Sequence, residues 1–291
     1  VAENGGAGRV AIIGAGPIGT AFATVFADAG HAVTLAEVDG ARREAIAATA
    51  LRQHGAMAAA GLARASPADS LARLAAVADA GAAADGALLV IEAGPERLEA
   101  KRALFLTILA AAPPGSPVVT ASSAMTIDEI LPEPSDQRRA LVAHPVNPPT
   151  VLRVLEIVPA AATDPAIVAA TAAIFRAAGF APVVLGSAVP GFVVNRLQGA
   201  VLREAYRLVA EGVVDVAGLD TLVRDGLGPR WALAGPFATA DLNTEGGIAA
   251  HAARMGPAYR AIGEARGETD CAWPPALVAR VERERRALDP A

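Results

Sequence analysis

The stretch RVAIIGAGPIGTAFATVFADAGHAVTLAEVD, residues 9–39, decides the fold. An apolar run over 9–13 stops at glycines, and from 17 to 29 the residues Phe22, Val25 and Phe26 recur at helical spacing. A second apolar run covers 31–39, so the order is strand, turn, helix, strand. The turn reads G-x-G-x-x-G. Gly14 permits a tight bend, Gly16 lets a diphosphate approach the backbone, and Gly19 allows helix and strand to pack closely. Pro17 and Ile18 open the helix, whose free N–H groups suit an anion. In a chain with 28 glycines the pattern alone is weak, and its place between strand and helix gives it weight.

Glu37 stands 18 residues beyond Gly19, at the end of the second strand. A carboxylate there accepts from a ribose diol and repels a 2′-phosphate, so NAD is expected over NADP. Arg42 and Arg43 pull weakly the other way, and the alternative is an ordinary surface acid at a strand end.

Further buried-type strands are expected at 86–94, 117–123, 140–146, 154–159 and 181–186, with helices over about 40–60 and 97–112. Strands alternating with helices predict an α/β fold, a Rossmann-type doubly wound and mainly parallel sheet. From 192 onward only helical periodicity remains, with Gly212 placed to end the first helix. The division expected is a dinucleotide-binding domain over 1–188 and an all-helical domain over 189–291, with a cleft between them.

The net charge of -5 and the scattered basic residues argue against nucleic acid as a partner, and the alternating charges of RVERERRALDP read as a solvated helix. One cysteine, Cys271, rules out an internal disulfide and fits a reducing, cytoplasmic setting. The uncharged stretches 10–27 and 104–127 are long enough to suggest a membrane span or a signal peptide. Glycines and prolines interrupt both, so no membrane partner is expected.

Of the four histidines, His31, His54, His144 and His251, the first two read as structural or solvated. His144 ends a buried-type strand at the edge where open α/β sheets bind ligands, and Glu156 lies in the next strand. A buried carboxylate without a partner is costly, which favours pairing the two. Glu156 would then fix the tautomer of His144 and leave its other nitrogen to accept a hydroxyl proton. The alternative is a satisfied core histidine and a backbone-bound glutamate. No metal is expected, because a His-Pro turn in this context makes a poor ligand set.

The segments IIGAGPIG, HPVNPP, VLEIVP and GFVVNR together resemble the 3-hydroxyacyl-CoA dehydrogenase superfamily over nearly the whole chain. VAHPVNPP and GLGPRWALAGPFATADLNTEGG look closest to its lambda-crystallin branch, which includes L-gulonate 3-dehydrogenase and a bacterial diketoreductase. The resemblance implies hydride transfer between NAD and a carbinol carbon, with His144 as the base and Glu156 as its support. It implies that Ser123, 21 residues before His144, and Asn195 donate to the substrate oxygen. It also implies cofactor contacts from Glu96, Lys101 and Asn147. Ala121 departs from the polar residue usual in the family at that position.

Arg230 resembles a basic residue of the lambda-crystallin branch that the acyl-CoA enzymes lack. A guanidinium there would clamp a free carboxylate, with Trp231 as a wall. The small-molecule substrate expected is therefore a short 3-hydroxy acid, like L-gulonate or 3-hydroxybutyrate, or its keto partner. The alternatives are a CoA thioester, a diketo ester, or a non-enzymatic crystallin-like role. L-carnitine dehydrogenases share the scaffold, but no aromatic pocket for a quaternary ammonium is legible in the sequence. Long apolar-faced helices after 192 predict a homodimer.

Overall fold

The computed structural model describes residues 8–269 and 273–288, so Cys271 lies outside the described residues. The first compact unit runs to Ala200 and the second starts at Val201. In the first unit the order is β1 (Val10–Ile13), α1 (Pro17–Asp28), β2 (Val33–Ala36), α2 (Gly40–Ala59), α3 (Pro67–Ala72), β3 (Leu74–Val77), α4 (Ala80–Ala84) and β4 (Leu89–Glu92). It continues with α5 (Leu98–Ala111), β5 (Val118–Thr120), α6 (Ile127–Ile130), α7 (Pro134–Gln137), β6 (Ala140–Pro145), β7 (Val154–Pro159), α8 (Pro165–Ala177) and β8 (Ala181–Val184).

The strands form one sheet in the order β3-β2-β1-β4-β5-β6-β7-β8. All neighbours are parallel except β6 and β7, which pair antiparallel. Strand residues alternate between two cores: Val10 and Ile12 pack on one face, Ala11 and Ile13 on the other. Burial on both faces explains why these strands read as continuous apolar runs. Phe22, Phe26, Phe175 and Phe180 form a ring cluster on the first face, with centroids 5.5 to 5.8 Å apart. Burying each such ring stabilises the fold by about 1.5–3 kcal/mol.

Seven strands fall where the periodicity predicts them, and β3 was not expected. Its LAAV sequence is alanine-rich and half-exposed at the sheet edge, so it carries little apolar signal. Helix α8 was also unforeseen, although Asp164 caps it and Pro165 takes its first turn.

Helix α9 (Val194–Ala210) spans the boundary between the compact units, which falls at 200/201. Gly212, at φ +71, follows its end. The second unit continues with α10 (Val216–Thr221), a π-helical turn (Leu222–Leu227), α11 (Gly228–Leu233), α12 (Pro236–Leu242), α13 (Gly247–Ala265) and α14 (Pro275–Leu288). Among the described residues it contains no strand. Arg286 departs from the solvated reading of the last helix, since it grips the buried Asp241 through two bonds of 2.8 Å.

Candidate active site

Strand order reverses between β1 and β4, and a crevice of about 580 Å³ opens at their carboxyl ends, lined by Gly14, Gly16, Glu37, Arg42, Ala93 and Gly94. The glycines have separate reasons to be there. A Cβ on Gly14, at φ +108, would lie 2.7 Å from the Ala93 carbonyl oxygen, and one on Gly19 would lie 1.9 Å from the Gly14 carbonyl oxygen. Gly16 has no atom within 4 Å of such a Cβ, which leaves open space over the start of α1. That helix begins with Pro17 and has no side-chain cap, so Ile18 and Gly19 offer first-turn amides to an anion. The residues present therefore fit a dinucleotide.

Glu37 is buried, and its carboxylate accepts from the amides of Ala15 and Asp39 at 3.0 Å. It ties the end of β2 to the glycine turn. Arg43 is committed to the Glu37 carbonyl oxygen at 2.6 Å, which leaves Arg42 as the arginine lining the crevice.

On the same carboxyl edge, antiparallel pairing places His144 directly opposite Glu156. The His144 Nδ1 is 2.7 Å from Glu156 Oε2, with both side chains buried. The other oxygen, Oε1, accepts from the amides of Val193 at 2.7 Å and Val194 at 3.0 Å, where α9 begins. A carboxylate only accepts, so Nδ1 carries a proton, and in the neutral ring Nε2 keeps its lone pair. Phe192, fully buried at φ +50, packs its ring 5.5 Å from the imidazole. Sequence reasoning missed Phe192 and the two amides, because backbone donors have no side-chain signature.

The structure brings Ser123, Asn195 and Glu96 together. Asn195 Nδ2 donates to the Ser123 carbonyl oxygen at 3.1 Å, and the Ser123 amide donates to Glu96 at 3.0 Å. Lys101, expected as a cofactor contact, is almost fully enclosed and held by Glu92 at 2.8 and 3.0 Å. Asn147 is exposed, beside Pro17, Gln53 and Thr150 in a hollow of about 370 Å³. Ala121 packs against the core, where its amide donates to the Glu92 carbonyl oxygen.

In the second unit Arg230 and Trp231 lie on α11 and line a cavity of about 530 Å³ with Phe237, His251, Tyr259 and Trp273. This aromatic group escaped sequence reasoning because its members are scattered over some 40 residues. Of the two histidines read as structural or solvated, His54 is buried, 3.3 Å from Asp28, and His31 bonds the Gly8 carbonyl oxygen.

A dinucleotide crevice and a buried imidazole–carboxylate pair on one sheet edge fit a dehydrogenase of nicotinamide type. Residues 9–188 match the 3-hydroxyacyl-CoA dehydrogenase NAD binding domain, and residues 191–286 match the C-terminal domain of the same family. A lambda-crystallin homolog of Bos taurus is 39% identical over 82% of this chain and 75% of its own length. An L-carnitine dehydrogenase of Streptomyces griseus is 36% identical over 86% of this chain and 74% of its own. Among solved structures, a 5-formyl-3-hydroxy-2-methylpyridine 4-carboxylic acid 5-dehydrogenase, an NAD-dependent dismutase, superposes with TM-score 0.76 at 28% identity, covering 96% of this chain and 95% of that one. The chain belongs to the 3-hydroxyacyl-CoA dehydrogenase family, and it is an NAD-dependent oxidoreductase.

Proposed function

We propose that the protein interconverts a 3-hydroxy acid with a free carboxylate and its 3-keto partner. The observation that carries this is the Glu156 carboxylate, which fixes the His144 tautomer on one side and accepts two amides on the other. During oxidation His144 Nε2 takes the hydroxyl proton, and in reduction it returns that proton to the carbonyl oxygen. Ser123 and Asn195 hold the same oxygen as charge develops on it. The nicotinamide cofactor supplies the hydride acceptor or donor. Gly14, Gly16, Gly19, Glu37, Glu96 and Asn147 are the residues that would hold it.

The free-acid reading is supported by Arg230, which makes no ion pair among the described residues and lines a cavity with no acidic side chain. L-gulonate and 3-hydroxybutyrate are the substrates this predicts. The aromatic lining of that cavity favours one further substrate, a 3-hydroxy acid bearing a quaternary ammonium, as in L-carnitine.

The homodimer is supported by α9, which buries none of its residues and exposes Leu197, Val201, Leu202 and Tyr206. We assign the protein to the cytoplasm on its single cysteine. No helix among the described residues is long and apolar enough to cross a membrane.

The test is NADH formation at about 340 nm, the cofactor's own absorbance, with L-gulonate, 3-hydroxybutyrate, L-carnitine and 3-hydroxybutyryl-CoA in parallel. Preference for a free acid supports the proposal. Preference for the thioester replaces it with acyl-CoA chemistry.

A further inference from the structure

Glu92 ends β4 with 0% exposure, and Lys101 of α5 is 2% exposed beside it. An enclosed ion pair costs desolvation and adds little net stability over apolar residues of the same size. Its hydrogen bonds show what it holds. Glu92 Oε1 accepts from the Gly94 amide at 2.7 Å and from Lys101 Nζ at 3.0 Å. Oε2 accepts from Lys101 Nζ at 2.8 Å and from the Thr120 hydroxyl at 2.7 Å. With its proton committed to Glu92, the Thr120 oxygen accepts the Ser122 amide at 3.1 Å.

The same turn is gripped from outside. Glu96 accepts from the Ser122 hydroxyl at 2.9 Å and the Ser123 amide at 3.0 Å, and its Oε2 lies 4.0 Å from Lys101 Nζ. Two carboxylates and one lysine thus fix the backbone on both sides of Ser122. Gly94, on the wall of the cofactor crevice, is held by Glu92 Oε1, one of the two oxygens that bind Lys101.

We propose that Glu92 and Thr120 are positioning residues, which set Ser123 and the Gly94 backbone relative to each other through the buried Lys101 pair. The consequence for turnover rests on the reading of Ser123 as a donor to the substrate oxygen; the consequence for the turn itself does not. The dipeptide's two serines then divide the work, Ser122 anchoring and Ser123 facing outward.

The test compares Thr120→Val, Thr120→Ser, Glu92→Gln and the charge-neutral Glu92→Gln/Lys101→Met. Each is followed by hydrogen exchange over residues 121–125, NADH fluorescence titration, thermal unfolding and turnover of the best substrate from the parallel assay. Thr120→Val is expected to speed exchange of the Ser122 amide about tenfold or more, with kcat down by about 10–100-fold, because small misplacements cost that much. KM for the substrate and the pH profile of kcat should stay put, and Thr120→Ser should restore both exchange and kcat. The double variant should recover the melting temperature without recovering kcat. Unchanged exchange in Thr120→Val overturns the proposal, as does joint recovery of melting temperature and kcat in the double variant. If the wild-type protein turns over none of the substrates, the Ser123 reading fails separately, and exchange with NADH affinity still decides whether Glu92 and Thr120 hold the turn.

Discussion

Glu156 supports His144 and greets the start of α9 with the same carboxylate: 2.7 Å to the imidazole Nδ1, and 2.7 and 3.0 Å to the amides of Val193 and Val194. No neutral side chain of that shape satisfies all three donors. In Glu156→Gln the amide nitrogen has to face either the ring or the backbone amides. If it faces the ring, Nδ1 becomes the acceptor and Nε2 takes the proton, so the proposed base is lost. We expect kcat to fall by about 10²–10⁴-fold, the usual worth of general base catalysis, with NADH affinity retained. Steady-state kinetics beside a fluorescence titration check this, and a loss confined to NADH affinity contradicts it.

The glycine turn makes a paired prediction. Gly14→Ala puts a methyl 2.7 Å from the Ala93 carbonyl oxygen at φ +108, so both folding and cofactor binding should suffer. Gly16→Ala meets no protein atom within 4 Å, so its melting temperature should match wild type while NAD affinity drops at least tenfold. Calorimetric titration with NAD and a thermal melt separate the two.

The sheet was legible because apolar runs such as VAII, and the β6 and β7 segments around His144 and Glu156, keep one character over several residues. Strand β3 was not, since alanine on a half-exposed edge looks like the alanine-rich helices around it. Within the site, the facing of His144 and Glu156 follows from two strands joined by a short Pro-rich loop. The roles of Glu92 and Phe192 do not follow. A lone acid at the end of an apolar run and a phenylalanine after a glycine gain meaning only when β5 and α9 arrive beside them.

Arg230 gives the substrate prediction. Arg230→Ala should raise KM for a free hydroxy acid by about tenfold or more, the worth of a charge-assisted bidentate contact, and leave the response to NAD unchanged. Arg230→Lys should recover only part, since an ammonium lacks the planar fork. Equal KM values in all three proteins would make the arginine structural.

Glu211, after α9, pairs with Arg266, which also bonds Glu204 at 2.8 Å. The Arg266 guanidinium holds the Glu211 carboxyl below the usual carboxylate range. A depressed folded value means the stabilisation is present above the ordinary carboxylate pKa and is lost as pH falls through the folded one. Glu211→Gln should therefore melt slightly below wild type at pH 7, with the gap closing as pH falls below the ordinary carboxylate range. The pair is exposed, so the gap should also shrink in about 1 M salt.

Gly191 and Phe192 stand at φ +75 and +50, two left-handed residues in succession where the C-terminal family match begins. The first suits glycine; the second is tolerated because Phe192 is fully buried and packs on the His144 ring. A Cβ on Gly191 meets only ordinary contacts, 3.6 Å to Asn195 Cβ and 3.8 Å to Arg196 Cγ. Gly191→Ala therefore pays backbone strain alone, about 1–2 kcal/mol. Relaxing that strain turns the peptide that delivers the Val193 and Val194 amides to Glu156. Asn195 lies one residue further on and would shift with them. The expected outcome is a small fall in melting temperature together with a larger fall in kcat, while NADH affinity holds. A melting shift with no change in kcat would separate the helix start from the imidazole's support, and leave Glu156 acting through the His144 contact alone.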